Sequence, residues 1–139
     1  METKTLTVLT EEQLVEKLTK TYCEVLKASL DKWVADAGLC KIWETKYIYE
    51  TGRKYFKVIR TEEPFTSKNG VKHDKHECVE AFIDRQTGDI FKPASWRKPA
   101  KGARFNLLDQ ISCQLLFQHL DPFGGHLYAN TKQNIYRGS

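Results

Sequence analysis

The N-terminal part of the chain repeats apolar residues with the spacing of an amphipathic helix. Thr10 and Gln13 form a capping box, in which each side chain accepts a hydrogen bond from the other residue's backbone N–H. Gly38 suits a helix C-terminus. The pattern predicts a helix over residues 10–38, about 27 residues and roughly 40 Å long. Since this is long for one small domain, part of its stripe is expected to meet another subunit. The stripe comprises Leu14, Leu18, Tyr22, Val25, Leu26, Ser29, Trp33 and Ala37.

Residues 41–92 instead alternate with the period of two that is typical of strands. The first two strands flank Thr51-Gly52 and predict a β-hairpin. A polar segment over 64–75, with a turn at Asn69-Gly70, precedes the third strand, and Thr87-Gly88 leads into a short fourth one. Strict alternation places Cys78 on the same face as Phe82. The predicted strands cover 41–49, 55–61, 76–84 and 89–92.

A second helical pattern follows a basic segment over residues 92–105. It predicts a helix over 106–120, capped by Asn106 or the residue before it, with its apolar face formed largely by leucines. Residues 126–129 suit a closing edge strand, and 130–139 read as a polar tail. The order of helix, antiparallel meander of four to five strands, loop and helix predicts one α+β domain over residues 1–129, with the second helix on one sheet face.

Composition narrows the class of protein only modestly. With 139 residues, 40% of them hydrophobic, the chain can bury a core, and its net charge of +4 permits nucleic-acid binding without requiring it. Four dispersed cysteines and a start without an apolar leader predict reduced thiols in a cytosolic compartment. No apolar run approaches the roughly 20 residues that cross a bilayer, so no membrane partner is expected.

The basic segment is the strongest candidate for binding chemistry. No acidic residue lies between Asp89 and Asp109, and two prolines and a glycine keep the segment out of regular helix. The cations can neutralise phosphates, and Trp96 can stack on a base. Alternatively, Trp96 folds inward and closes the end of the core, and the cations only keep a stiff loop in contact with solvent. The predicted phosphate-binding residues are Lys92, Trp96, Arg97, Lys98, Lys101, Arg104 and Asn106, the last at the helix start.

Other candidate chemistry is weaker. His73, His76 and Cys78 could offer three zinc ligands, with a fourth from Cys40, Cys113, His119 or His126, but the spacing matches no standard zinc module. Asp84 and Asp89 flank a turn and suit either Mg²⁺ or the turn itself. No catalytic signature is present, so we predict a protein without enzymatic activity, cofactor or metal.

The aromatic residues of the first hairpin offer a further alternative. Trp43, Tyr47, Tyr49, Tyr55 and Phe56 could form a stacking surface like that of an RRM. However, the chain starts with a long helix and lacks the RNP signatures. Aromatic residues in sheets are ordinarily core residues or cross-strand pairs, which is the favoured interpretation here.

Several motifs together resemble a group of small, functionally uncharacterised proteins of tailed bacteriophages. They are Tyr55-Phe56-Lys57, the Phe82-Ile83-Asp84…Thr87-Gly88 hairpin, the Lys92-Pro93-Ala94-Ser95-Trp96 loop with its Pro99-Ala100-Lys101-Gly102 continuation, and Asp121…Gly124-Gly125-His126-Leu127-Tyr128. The similarity covers roughly residues 54–129. It implies a viral protein in the host cytoplasm or the virion, and it implies no particular activity.

Two hypotheses therefore remain open. In the first, the protein binds nucleic acid or a nucleotide through the basic loop. In the second, it is a virion structural protein, or an inhibitor of a host defence factor, that acts through the N-terminal helix as a protein interface or homo-oligomer contact. Salt-sensitive binding would favour the first, and salt-independent oligomerisation the second.

Overall fold

The computed structural model describes residues 9–38 and 44–128. Helix α1 spans Glu11–Asp36, and the predicted capping box is present: Thr10 Oγ1 accepts from the Gln13 N–H at 3.1 Å, and Gln13 Oε1 accepts from the Thr10 N–H at 2.9 Å. Gly38 follows the C-cap with φ of +69°, a conformation that glycine adopts without strain. The helix predicted over residues 10–38 is confirmed, with Thr10 as its N-cap and Gly38 just beyond its C-cap.

The main sheet is antiparallel throughout and has five strands. Its order is β1-β2-β5-β6-β7, while β3 and β4 form a separate small hairpin around Gly70. The predicted α+β class and the antiparallel meander are confirmed. Strand bounds are β1 Thr45–Thr51, β2 Tyr55–Glu62, β3 Phe65–Thr66, β4 Lys72–His73, β5 His76–Asp84, β6 Asp89–Phe91 and β7 Phe105–Asn106.

The hydrophobic core lies between α1 and one face of this sheet, called here the inner face. Val15, Tyr22 and Leu26 of α1 are fully buried, and the sheet supplies alternate residues of each strand, such as Phe56 and Val58 of β2. Each such side chain contributes roughly 1.5–3 kcal/mol when buried. The opposite, outer face carries Lys57 and Phe82, which lie opposite each other in the β2–β5 register.

Helix α2, Gln110–Gln118, begins later than the sequence predicts. Its N-cap is Asp109, whose Oδ1 accepts from the Ile111 N–H at 3.2 Å. Asn106 lies in β7 and pairs with Asp89, so the prediction that it caps the helix is wrong. The helical pattern misled because Leu107 is buried in the core from a bend between β7 and α2, where its N–H donates to Gly88 O at 2.9 Å.

The last described residues form a 3₁₀ helix, Gly125–Tyr128, where an edge strand was predicted over 126–129. Gly124, with φ of +82°, turns the chain so that Leu127 is fully buried. No helix in the described part of the chain is long and apolar enough to span a membrane. The predicted tail over 130–139 and the predicted strand start at 41–43, with Trp43, lie outside the described residues.

Candidate functional site

The basic loop over residues 92–105 is an ordered ribbon that extends the β6–β7 pair. Ala100 N donates to Lys92 O at 2.8 Å, Ala94 N donates to Lys98 O at 2.9 Å, and Pro93 and Pro99 form an antiparallel bridge. At the tip, Ser95 Oγ accepts from the backbone N–H groups of Arg97 and Lys98, at 3.3 and 3.2 Å. The loop therefore holds its charged residues in a defined shape.

Four of the predicted binding residues are exposed on this ribbon. Trp96 is 44% exposed, so it does not close the end of the core, which was considered as an alternative. Lys57 of β2 places its Nζ 4.5 Å from the centroid of the Trp96 ring, a cation–π contact that anchors the ring to the outer face of the sheet. Arg97, Lys98 and Lys101 are also exposed.

The remaining three predicted residues are held in the stem of the ribbon. Lys92 Nζ lies 5.1 Å from the centroid of the Tyr128 ring, and the Nε atom of Arg104 is buried. Asn106 is buried and uses its side-chain N–H groups on Thr87 O and Asp89 Oδ1, and its backbone N–H on Ser112 Oγ. Because all three donors are occupied, the prediction that Asn106 orients a phosphate is wrong.

Beside the tip lies a depression of about 280 Å³, which is the candidate functional site. The β1–β2 turn and β2 form one wall and the ribbon tip the other, so cations from two distant chain segments converge there. Glu50 supplies one carboxylate at the rim. The lining is Glu50, Thr51, Gly52, Arg53, Lys54, Tyr55, Lys57, Phe82 and Arg97.

The frame around this depression is fixed by hydrogen bonds and ring contacts. Arg85 Nη1 donates to Gly52 O at 2.7 Å and Arg85 N donates to Lys54 O at 2.9 Å, which ties the turn to the end of β5. On the floor, the Tyr55 ring meets the Phe82 ring edge-on at a centroid distance of 5.8 Å. The site is therefore preorganised, with an aromatic floor and cationic walls.

Sequence reasoning found the ribbon but missed Arg53, Lys54 and Lys57. A signal was available, because alternation along residues 55–61 already separates Lys57 from buried Phe56 and Val58. What the pattern lacked was the cross-strand register. Lys57 lies opposite Glu50 on one side and Phe82 on the other, and Phe82 lies opposite Phe91, which forms one row across the outer face.

A second polar cluster, also missed, is buried at the inner face. The register of β2 and β5 shifts between Val58 and Ile59. Val58 pairs with Ala81 but Ile59 pairs with Val79, so Glu80 has no partner in the register and forms a β-bulge. Downstream of the bulge the faces exchange, and Cys78 lies opposite Arg60 on the inner face. The predicted shared face of Cys78 and Phe82 is therefore wrong.

Arg60 and Glu80 form the centre of this cluster. Arg60 Nη1 lies 3.7 Å from Glu80 Oε2, and Glu80 is only 6% exposed. Burial raises the pKa of Glu80, and the Arg60 guanidinium partly offsets that rise. The Cys78 thiol lies 3.6 Å from the same carboxylate oxygen, and burial raises the pKa of this thiol, which makes it a poor nucleophile.

His126 closes the inner cluster from the 3₁₀ helix. Its Nδ1 accepts from the Asp121 N–H at 3.1 Å, so in the neutral ring Nε2 carries the proton and donates to Tyr22 Oη at 2.8 Å. Burial lowers the pKa of His126 to about 4, whereas Asp121 acts in the opposite direction. Both ring nitrogens are occupied and the residue is buried, which is the arrangement of a structural histidine.

The weaker candidates from the sequence take structural positions. His73 stacks on Phe65 with ring centroids 4.3 Å apart, and Asp84 Oδ1 accepts from the N–H groups of Gln86 and Thr87 within its turn. Among residues 9–38 and 44–128, no three His, Cys, Asp or Glu side chains are grouped to hold a metal ion. Cys40, considered as a fourth ligand, lies outside the described residues.

The aromatic residues of the first hairpin divide between the two faces. Tyr47 and Phe56 are buried on the inner face, and Tyr49 packs edge-on against Phe56 at a centroid distance of 5.4 Å. Tyr55 alone of the described members lies at the outer depression. The described members of this set therefore do not form one stacking row like that of an RRM.

These features define a small α+β protein with a cationic depression on the outer face of its sheet. The chain belongs to a family of unknown function, DUF7717, whose defining sequence pattern matches residues 2–129. No curated protein and no solved structure matches the chain. The family carries no assigned activity.

Proposed function

We propose that the protein binds a polyanion, either nucleic acid or a nucleotide phosphate, without catalysing a reaction. The observation that carries this proposal is the convergence of Arg53, Lys54 and Lys57 with Arg97 around one depression. Cations that are close together on a fixed frame repel one another, and an anion relieves that repulsion. A guanidinium binds phosphate in a bidentate manner, because two of its N–H groups match two phosphate oxygens.

The surroundings of the depression also favour phosphate over a protein carboxylate. Lys98 and Lys101 extend the positive surface along the exposed ribbon, and Trp96 adds an exposed ring beside it. Aromatic rings interleaved with cations are typical of surfaces that bind nucleic acids. Glu50 lies opposite Lys57 at the rim, where it limits the net charge without closing the depression.

The alternative function, a protein interface on α1, has less support. The stripe of α1 from Val15 to Leu30 is already buried against the chain's own sheet and α2. Within the described residues of this helix, only Leu14 and Trp33 are exposed large hydrophobic side chains, and Trp33 packs edge-on against Phe123 at 5.1 Å. The length that suggested surplus apolar surface is therefore largely used within the fold.

We also propose a viral setting for this binding, in the host cytoplasm or in the virion. The support is the resemblance of residues 54–129 to small tailed-bacteriophage proteins, which includes the Lys92-Pro93-Ala94-Ser95-Trp96 ribbon. In this setting the ligand would be abundant, because both the genome and its transcripts present phosphates. A protein that travels in the virion would be detected by mass spectrometry of purified particles, and its absence there would leave the cytoplasmic location.

The binding proposal is tested by a double substitution, Lys54→Ala with Arg97→Ala, which removes one cation from each wall. A short fluorescein-labelled oligonucleotide is titrated at several salt concentrations, and anisotropy reports binding. We expect about tenfold weaker binding at low salt, and a salt slope reduced by roughly 1.4 if each cation meets one single-strand phosphate.

The matched control is Lys20→Ala with Lys32→Ala, which removes the same charge from exposed positions of α1. Its binding should remain within about twofold of the unmodified protein, since long-range effects of two surface charges are screened. Equal losses of oligonucleotide affinity in both double variants would mean that binding depends only on the net charge of the protein. Unchanged affinity and slope in the site variant would reject the depression as the binding site.

A further inference from the structure

We propose that the depression selects single-stranded nucleic acid over duplex, with an unpaired base at the aromatic floor or on Trp96 and its phosphates on Arg97 and the β1–β2 turn. This inference depends on the proposed function and specifies its ligand. The observation behind it is that an aromatic ring and cations occupy the same site: half-buried Tyr55 lies at the floor within the ring of cations, and the buried Phe82 packs beneath it.

The shape of the site favours an unpaired nucleotide. Its volume of about 280 Å³ lies just below the usual range for ligand pockets, which begins at about 300 Å³. In a duplex the bases are stacked inside and only phosphates face outward, so the Tyr55 ring could be reached only after a base is flipped out at a cost in free energy. A single strand presents its base faces without that cost.

The ribbon at the site contributes only its tip residue Arg97 to the lining, unlike a ribbon that reads a groove along its length. Duplex-binding proteins usually place a helix or a two-stranded ribbon in the major groove, with base-contacting side chains along it. Here a tight turn and the tip of a ribbon face each other across a concavity, with Arg53 on one side and Arg97 on the other. Opposed cations of this kind hold a flexible backbone between them, as in channels for single strands.

Trp96 is prepared for stacking by its contact with Lys57. The Lys57 ammonium lies 4.5 Å from the Trp96 centroid and 6.0 Å from the Phe82 centroid, and so joins the exposed ring to the floor of the site. A ring already fixed in place loses little conformational entropy when a base stacks on it. Such stacking tolerates any base, so the expected binding has little sequence preference.

The test compares four labelled probes of about 12 units, close to the site sizes of single-strand binding modules: oligothymidylate, oligouridylate, a blunt DNA duplex and base-free polyphosphate. We expect the two single strands to bind at least tenfold more tightly than duplex or polyphosphate at equal salt. Trp96→Ala should weaken single-strand binding by about tenfold and change duplex or polyphosphate binding less than twofold, whereas Trp96→Phe should restore most of the loss.

The outcomes separate the two proposals. Equal affinity for duplex and single strand, or for polyphosphate and single strand, would overturn single-strand selection while leaving polyanion binding intact. An unaffected Trp96→Ala variant would overturn the stacking role. Binding of none of the four probes at low salt would overturn both proposals. A difference between oligothymidylate and oligouridylate would assign the ligand as DNA or RNA. Circular dichroism of both Trp96 variants checks that the fold is retained.

Discussion

Strand β2 carries two cations, Lys57 and Arg60, three residues apart and on opposite faces of the same sheet. Lys57 stands at the rim of an open depression, with its ammonium above the exposed Trp96 ring. Arg60 lies on the inner face, where its guanidinium is 3.7 Å from the buried Glu80 carboxylate and 5.4 Å from the Phe123 ring. The comparison shows that a charged residue becomes available to a ligand only where the fold leaves its neighbourhood open.

The two regions also differ in how their charge is balanced. At the outer face four cations face one carboxylate, Glu50, so an incoming anion gains attraction. At the inner face Arg60 is matched by Glu80 and Glu62, and the surrounding Tyr22 and Tyr47 are buried. We therefore expect inner-face substitutions to change the free energy of unfolding, and outer-face substitutions to change binding.

The largest effect is expected for Glu80→Ala. The substitution leaves the Arg60 guanidinium largely buried, with Glu62, at 3.9 Å, as its remaining carboxylate partner among the described residues. Removing one member of a buried ion pair costs about 3 kcal/mol or more. Urea denaturation should show a loss of about that size, while the salt slope of oligonucleotide binding stays unchanged. Glu24→Ala, at an exposed position of α1, is the control and should cost less than about 0.5 kcal/mol.

If Glu80→Ala lowers the free energy of unfolding by no more than Glu24→Ala, the inner cluster is not a stabilising pair. The same result together with tighter oligonucleotide binding would reverse the comparison, because an Arg60 freed from Glu80 would attract the anion. It would place the anion site at Arg60 and would remove it from the outer face.

A smaller loss of stability is expected at acidic pH, and it depends on the protonation of His126. Its pKa is about 4 in the folded protein and about 6.5 when unfolded, so between these values the unfolded chain binds a proton that the native protein excludes. Stability due to neutral His126 is therefore complete above about pH 6.5 and declines as pH falls towards 4. At pH 5 the loss amounts to about 2 kcal/mol.

The groups that face His126 also affect how the free energy of unfolding depends on pH. Asp121 favours the protonated ring, while Tyr22 stays neutral because burial raises its pKa. The raised pKa of Glu80 has the opposite effect on stability, since the native protein binds that proton more readily as pH falls. Free energies of unfolding at pH 7.5 and 5 should therefore be compared with those of His126→Gln. A variant with the same pH dependence as the unmodified protein would contradict this assignment.

The sequence predicted elements with strong local signals better than it predicted the site. The capping box at Thr10 and Gln13 and the turn at Asn69-Gly70 depend on neighbouring residues only, and both were correct. The prediction for Asn106 failed because the position of this residue is set by its pairing with Asp89, 17 positions away. An apolar pattern can mark Leu107 and Leu108 as residues that pack on the core, but it cannot tell whether they do so from a helix or from a non-helical segment.

Of the residues that line the candidate site, only Arg97 was predicted, for a related reason. The ribbon residues Trp96 and Arg97 are marked by an uninterrupted basic composition, which is a local signal. The opposite wall depends on the register that places Lys57 opposite Phe82, and the inner cluster depends on the bulge at Glu80. Neither the register nor the bulge leaves a mark in the alternation of a single strand, so both required the three-dimensional structure.

The smallest stability effect, and the sharpest test of the comparison, is expected for Lys57→Met. Methionine keeps most of the aliphatic length against Phe82 but removes the ammonium that lies over Trp96. A partly exposed cation–π contact contributes roughly 0.5–1 kcal/mol, so the free energy of unfolding should fall by no more than about that amount.

Binding should respond more strongly than stability to Lys57→Met, because the variant loses a cation at the site and the anchor of the stacking ring together. A loss of about fivefold to tenfold in oligonucleotide affinity is expected by anisotropy. Lys46→Met is the matched control, since Lys46 is an exposed cation on the neighbouring strand β1, four residue pairs along the register from Lys57. Equal losses in the two variants would mean that the outer face acts only through its overall charge, and that the fixed contact between Lys57 and Trp96 has no part in recognition.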